Sequence, residues 1–285
     1  MPAILAPICT FKDNPKAIDY ICQFAQESKL KILFYRAINS TLSTHTLALG
    51  ATGIGAAPAP IIYTQRQLNG IKKNDIQLIN HWKQTHSNFP SSEYVISEGS
   101  DHDVIKAIDS TKSIEFLFKT SSSSYSWIDK IVPTETSELT NIISCPIISL
   151  PKEIEFEKLS TIVYASDLID EDLNGLKTVN QLAQTWNAQV YLIHVCTNAQ
   201  DKKKNESKLT LLAHQLTTKI RPVTITLERE NVMQPLHELA LKLKANLIVT
   251  VKKNKQLVKR LFEPSITAKL ETGSTIPVMI LNSSK

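Results

Sequence analysis

PSITAKLETGSTIPVMIL (264–281) carries the reading of the fold. A proline opens a helix-patterned run over 264–272, and the chain then passes through Gly273 into a short apolar strand, IPVMIL (276–281). The same order occurs earlier as PTETSELTNIISCPIISL (133–150), with a helix over 133–142 and a strand, CPIISL, over 145–150. Pro264 follows Pro133, and Pro277 follows Pro146, at the same interval of 131 residues. A period this long points to two whole domains in tandem, since solenoid repeats run at roughly 20–50 residues.

Working back from those segments, each half alternates strands and helices. In the first half, strands are predicted at 2–8, 31–38, 92–97, 114–118 and 145–150, and helices at 15–28, 73–86, 101–109 and 133–142. In the second, strands are predicted at 160–166, 189–195, 222–228, 245–251 and 276–281. Its helices fall at 172–186, 208–220, 234–244 and 264–272. Strands alternating with helices imply α/β architecture with parallel sheets covered on both faces. The expected fold is two Rossmann-like domains, 1–151 and 152–285, each a five-stranded parallel sheet, joined by PKEIEFEK (151–158). The extra length of the first half lies in 39–71, where LGATGIGAAPAP reads either as an apolar flap that covers the sheet edge or meets a partner, or as a mobile loop. Ligands in such sheets sit beyond the carboxyl ends of the strands, here the loops at 8–14, 119–132, 167–171 and 251–263.

Composition narrows the function classes. No apolar run approaches the ~20 residues of a membrane span, mean hydropathy is −0.11, and the N-terminus lacks a basic leader, so a soluble cytoplasmic protein is expected. Cys9, Cys22, Cys145 and Cys196 show no zinc spacing and are expected to be reduced, with Cys145 and Cys196 in the core. The net charge of +5 falls entirely in residues 154–285, which hold 18 Lys and Arg against 13 Asp and Glu. This excess is modest for a nucleic-acid binder. No GxSxG, HExxH or GxxxxGK[ST] motif occurs, and no nucleophile–base pair argues for an enzyme. Asp101, His102 and Asp103 in EGSDHD are consecutive, so an N-cap by Ser100 or Asp101 explains them better than a metal.

The order of elements, closing in CPIISL and IPVMIL, resembles the universal stress protein family in tandem form. The resemblance implies that those two strands pair across a pseudo-two-fold axis, making an intramolecular dimer of the halves. Nucleotide-binding members carry two glycines three positions apart, then nine residues, then glycine and Ser/Thr. Laid on this chain, the glycine positions fall on Val251, Asn254 and Pro264, with Ser265 as the hydroxyl, and on Thr120, Ser123 and Pro133, with Thr134. The spacing survives twice without its glycines. Glycine permits positive φ and close approach of backbone N–H groups to phosphate, whereas proline has no N–H to give. The family's aspartate after the first strand corresponds to Asp167 in the second half and to Cys9 in the first.

The reading favoured is a non-catalytic stress-response or regulatory protein that binds partners and holds no cofactor through a glycine loop. Protein partners and a homodimer are expected, with no membrane contact. One alternative is ATP or another adenine nucleotide in the second half. Asp167 and Val195 would take base and ribose, and Lys252 and Lys253, with Asn254 and Ser265, the phosphates. A second alternative is contact with nucleic acid or another polyanion through the basic half, including Lys202, Lys203 and Lys204.

Overall fold

The computed structural model describes residues 2–38, 63–120, 143–151, 153–168, 172–196, 199–228, 233–251 and 276–281. The first half runs Ala3–Pro7 (β1), Ile8–Phe11 (α1), Pro15–Glu27 (α2), Lys31–Ile38 (β2), Gln65–Thr85 (α3), Ser92–Glu98 (β3), Asp101–Thr111 (α4), Ile114–Thr120 (β4) and Ile147–Leu150 (β5). The second runs Thr161–Ala165 (β6), Asp172–Trp186 (α5), Gln189–Cys196 (β7), Lys202–Ala213 (α6), Val223–Glu228 (β8), Met233–Lys242 (α7), Leu247–Val251 (β9) and Val278–Leu281 (β10). The expected helices at 133–142 and 264–272 and the insertion core at 39–62 lie outside the described residues.

The strands form one ten-stranded sheet in the order β3-β2-β1-β4-β5-β10-β9-β6-β7-β8. This corrects the expectation of two separate five-stranded sheets. The physical reason is at β5 and β10: each is buried at every residue and apolar except for Ser149, and each would otherwise leave its ladder groups unpaired at an edge. They pair antiparallel, with Met279 opposite Ile148 and Ile280 opposite Ile147, as the resemblance implied. All other neighbours in the sheet are parallel.

Burial follows this topology. β1 and β9, central in the sheet, are buried at every residue, and Thr250 is the one polar residue in either. On one face a single apolar cluster crosses both halves, from Phe34 and Trp82 through Phe24, Ile148 and Met279 to Trp186 and Leu192. Phe24 of α2 lies 5.3 Å from Trp186 of α5, ring centre to ring centre, and Phe156 lies 6.2 Å from Trp186. The other face carries two clusters, one under α4 and one under α7.

Helix ends depart from the sequence expectations for local reasons. α3 begins at Gln65, well before position 73, because Thr64 and Gln67 form a reciprocal capping box. The 8–14 loop contains α1, whose Ile8 and Phe11 are fully buried. The helix expected at 208–220 spans Lys202–Ala213 instead. Lysine is a good helix former, so the Lys202–Lys204 run opens it. Beyond Ala213, Thr217 Oγ1 accepts from Asn180 and Gln184, Thr217 N–H donates to Asn180 Oδ1, and Thr218 Oγ1 donates to the Ile220 carbonyl at 2.6 Å. The Thr218 bond is local and competes with helix, while the Thr217 bonds tie the segment to α5. Ser100 caps α4 with Asp103 in a second capping box, which accounts for EGSDHD.

Candidate functional site

In each half the strand order reverses next to the first strand, between β1 and β4 and between β6 and β9. These are the switch points where an open α/β sheet leaves a crevice at its carboxyl edge.

At the first switch point β1 leads into α1, and Cys9 is exposed there. Arg36 of β2 donates from Nη1 to Cys9 Sγ at 3.0 Å. Its Nε and Nη2 donate to the two carboxylate oxygens of Asp75, and the Tyr94 hydroxyl donates to Asp75 as well. Asp75 is 4% exposed, so α3 delivers a buried carboxylate to a guanidinium on the sheet. The bond to Asp75 raises the Arg36 pKa further, and burial followed by the Asp75 bond raises that of the Tyr94 phenol. Desolvation of its sulfur raises the Cys9 pKa, with the Arg36 charge opposing it, a direction that favours the thiol over the thiolate. On the sheet's other face Tyr35 donates to Asp101 at 3.2 Å, and Lys119 lies 3.5 Å from the same carboxylate. Burial above all, then Asp101, pushes the Tyr35 phenol well up. Thr120, at the first of the three glycine positions, is the last residue of β4, and its hydroxyl donates to the Thr10 carbonyl at 3.3 Å. That bond ties the end of β4 to the turn after β1.

At the second switch point β6 ends at Ala165, and Ser166, Asp167 and Leu168 follow. Ser166 is 3% exposed; its N–H donates to the Ile193 carbonyl at 2.9 Å, and its Oγ accepts from Leu168 N at 3.0 Å. His194 of β7 holds the same loop, with Nδ1 2.8 Å from the Ser166 carbonyl and Nε2 3.2 Å from Asn205 Nδ2. This geometry suits the tautomer in which Nδ1–H donates and Nε2 accepts. Leu168 is then left at φ 59°, a left-handed conformation uncommon for a branched residue. Asp167 follows Ser166 directly, and Ser166 is bonded to β7, the strand that carries Val195. Val195 is partly buried and packs on the α7 face. Lys252, Lys253, Asn254 and Ser265 lie outside the described residues. Sequence reading missed His194 and Arg36, although each is a polar residue interrupting an apolar central strand.

Val251, the first glycine position of this half, is the last residue of β9 and is 4% exposed. α5 approaches it closely at Gly175. A Cβ built at Gly175 would lie 2.7 Å from Tyr164 Oη, 2.9 Å from Leu281 Cδ1 and 3.1 Å from Val251 Cγ2. Glycine is required there because helix and sheet pack without room for a methyl group. Neither Thr120 nor Val251 has positive φ.

Cys22 and Cys145 are buried, and burial pushes both thiols up to about 12; Cys196 is buried too. Among the described residues no group of three or more His, Cys, Asp or Glu side chains is placed to hold a metal ion, and no helix is long and apolar enough to cross a membrane.

No protein-family model matches the chain, and no curated protein does. Solved structures do. A universal stress protein from Archaeoglobus fulgidus DSM 4304 superposes with a TM-score of 0.68 at 11% identity, over 99% of this chain and 98% of that one. A putative universal stress protein from Pseudomonas aeruginosa UCBPP-PA14 gives 0.55 at 12% identity, over 99% and 93%. The cytoplasmic domain of a prokaryotic cation chloride cotransporter gives 0.53 at 12% identity, over 99% and 96%. At such identities the likeness is one of fold, and the fold is that of the universal stress proteins.

Proposed function

We propose that this chain is a tandem universal-stress-type protein, with domains 1–151 and 152–285, acting as a non-catalytic regulatory scaffold that binds protein partners. The observation that carries this reading is the antiparallel β5–β10 seam, with Met279 against Ile148, continued by the Phe24–Trp186 contact between α2 and α5. Each half supplies the edge that the other covers, so the pair acts as one rigid intramolecular dimer. The occupants of the switch points support a scaffold without a glycine-loop nucleotide site: Thr120 ties β4 to α1, and Val251 is buried beneath α5.

Separate expression of 1–151 and 152–285 tests this. Each half alone is expected to self-associate or precipitate through its bared β5 or β10, and mixing is expected to give a one-to-one complex. Two well-behaved monomers that ignore each other would contradict it.

A second reading is favoured by the loop at Asp167, which Ser166 and His194 fix at the switch point of the second half. There Asp167 and Val195 would meet the base and ribose of an adenine nucleotide. Lys252, Lys253, Asn254 and Ser265 would meet its phosphates by charge and hydroxyl.

A further inference from the structure

The strands at the two ends of the sheet, β3 and β8, each have one neighbour, and they are finished differently. β3, SEYVISE, carries Glu93 and Glu98, and Glu93 is held by Lys31 and Lys112. Charges of this kind guard an edge against further pairing. β8, VTITLE, has no charge before Glu228. Val223 is 40% exposed and Thr224 is exposed, and Ile225 and Leu227 are only partly buried. Ile220, in the approach to β8, is 36% exposed, and Leu211 of α6, which packs against β8, is 66% exposed. Uncharged over Val223–Leu227, rich in β-branched residues and flanked by exposed aliphatic side chains, β8 is a less guarded pairing edge than β3.

We infer that β8 pairs antiparallel with β8 of a second copy of this chain, extending the sheet across a molecular two-fold axis. Its sequence is complementary to itself in that arrangement. With the axis at Ile225, Ile225 faces Ile225, Val223 faces Leu227 and Thr224 faces Thr226. β-branched and aliphatic pairs then share one face and threonine pairs the other, combinations that favour cross-strand contact. A two-fold interface uses one patch twice, as this register does. This surface is distinct from the β5–β10 seam within the chain, and it does not depend on what either switch point binds.

Sedimentation equilibrium of the full chain, from low micromolar to hundreds of micromolar, tests the inference. The wild type is expected to shift from 31.9 kDa towards twice that mass. Val223→Lys with Thr224→Lys changes two exposed positions and is expected to weaken the dimer at least about tenfold. Hydrogen exchange on the wild type supplies the readout that does not depend on a variant folding. Amides of 223–228 should gain protection with concentration, while β3 amides should not. A monomer throughout the range, a dimer unaffected by the two lysines, or concentration-dependent protection at β3 in place of β8 would each overturn it. So would a chain that stays monomeric while an unrelated extended peptide adds to this edge.

Discussion

Asp75→Ala is expected to cost about 3–5 kcal/mol of stability, the range for removing one partner of a buried ion pair. The cost arises from what is left behind. Arg36 would keep its charge in a largely covered position with two donors unmet, and the Tyr94 hydroxyl would lose its acceptor. Asp75→Asn retains an oxygen acceptor and a similar shape but not the charge, so its loss should be smaller. The measurement is the urea midpoint at constant m-value. Lys16→Ala removes an exposed ion pair with Glu153 and should leave the midpoint where it is. An Asp75→Ala protein unfolding at the wild-type midpoint would show that this network does not hold α3 to the sheet.

Trp186→Ala is expected to cost a similar amount, about 3–5 kcal/mol for truncating a buried tryptophan. Its second effect distinguishes it. Trp186 is 5% exposed at the end of α5, against Phe24 from the first half and Phe156 from the segment between the halves. Removing it should loosen one half from the other, so urea unfolding followed by circular dichroism should broaden or separate into two steps. Trp82→Ala is the control. That ring packs on Phe34 within the first half, 5.4 Å between centres, and its loss should lower stability without separating the halves. A single sharp transition in Trp186→Ala, at the wild-type midpoint, would contradict the coupling described here.

Periodicity made most of the scaffold legible in the sequence. The second strand, 31–38, and the helix at 172–186 are found in the structure with those bounds, because their apolar spacing is strong and their ends are marked. The α3 start was legible in principle as Thr64-x-x-Gln67 but was masked by a polar first turn without apolar spacing. α6 was misplaced because its opening is three lysines, which carry no periodic signal, while the apolar residues after Ala213 belong to a bonded turn. The Arg36–Asp75–Tyr94 network could not be read from spacing, since its members come from three separate elements. A charged residue inside the central strand KILFYRAI was its one trace. Gly175 left a trace too, as a glycine in the interior of a helix, where it costs stability unless packing demands it. At the candidate nucleotide site, Asp167 was picked out by the family resemblance, whereas the His194 bond that fixes the Asp167 loop depends on two strands meeting.

Isothermal titration calorimetry of the full chain with ATP and Mg²⁺ bears most directly on the central claim, that the universal-stress fold here serves as a paired scaffold without a glycine-loop nucleotide site. The account predicts no saturable heat at millimolar nucleotide. A saturable isotherm that Asp167→Ala abolishes, with the fold of the variant intact, would contradict it and establish the second half as a nucleotide site.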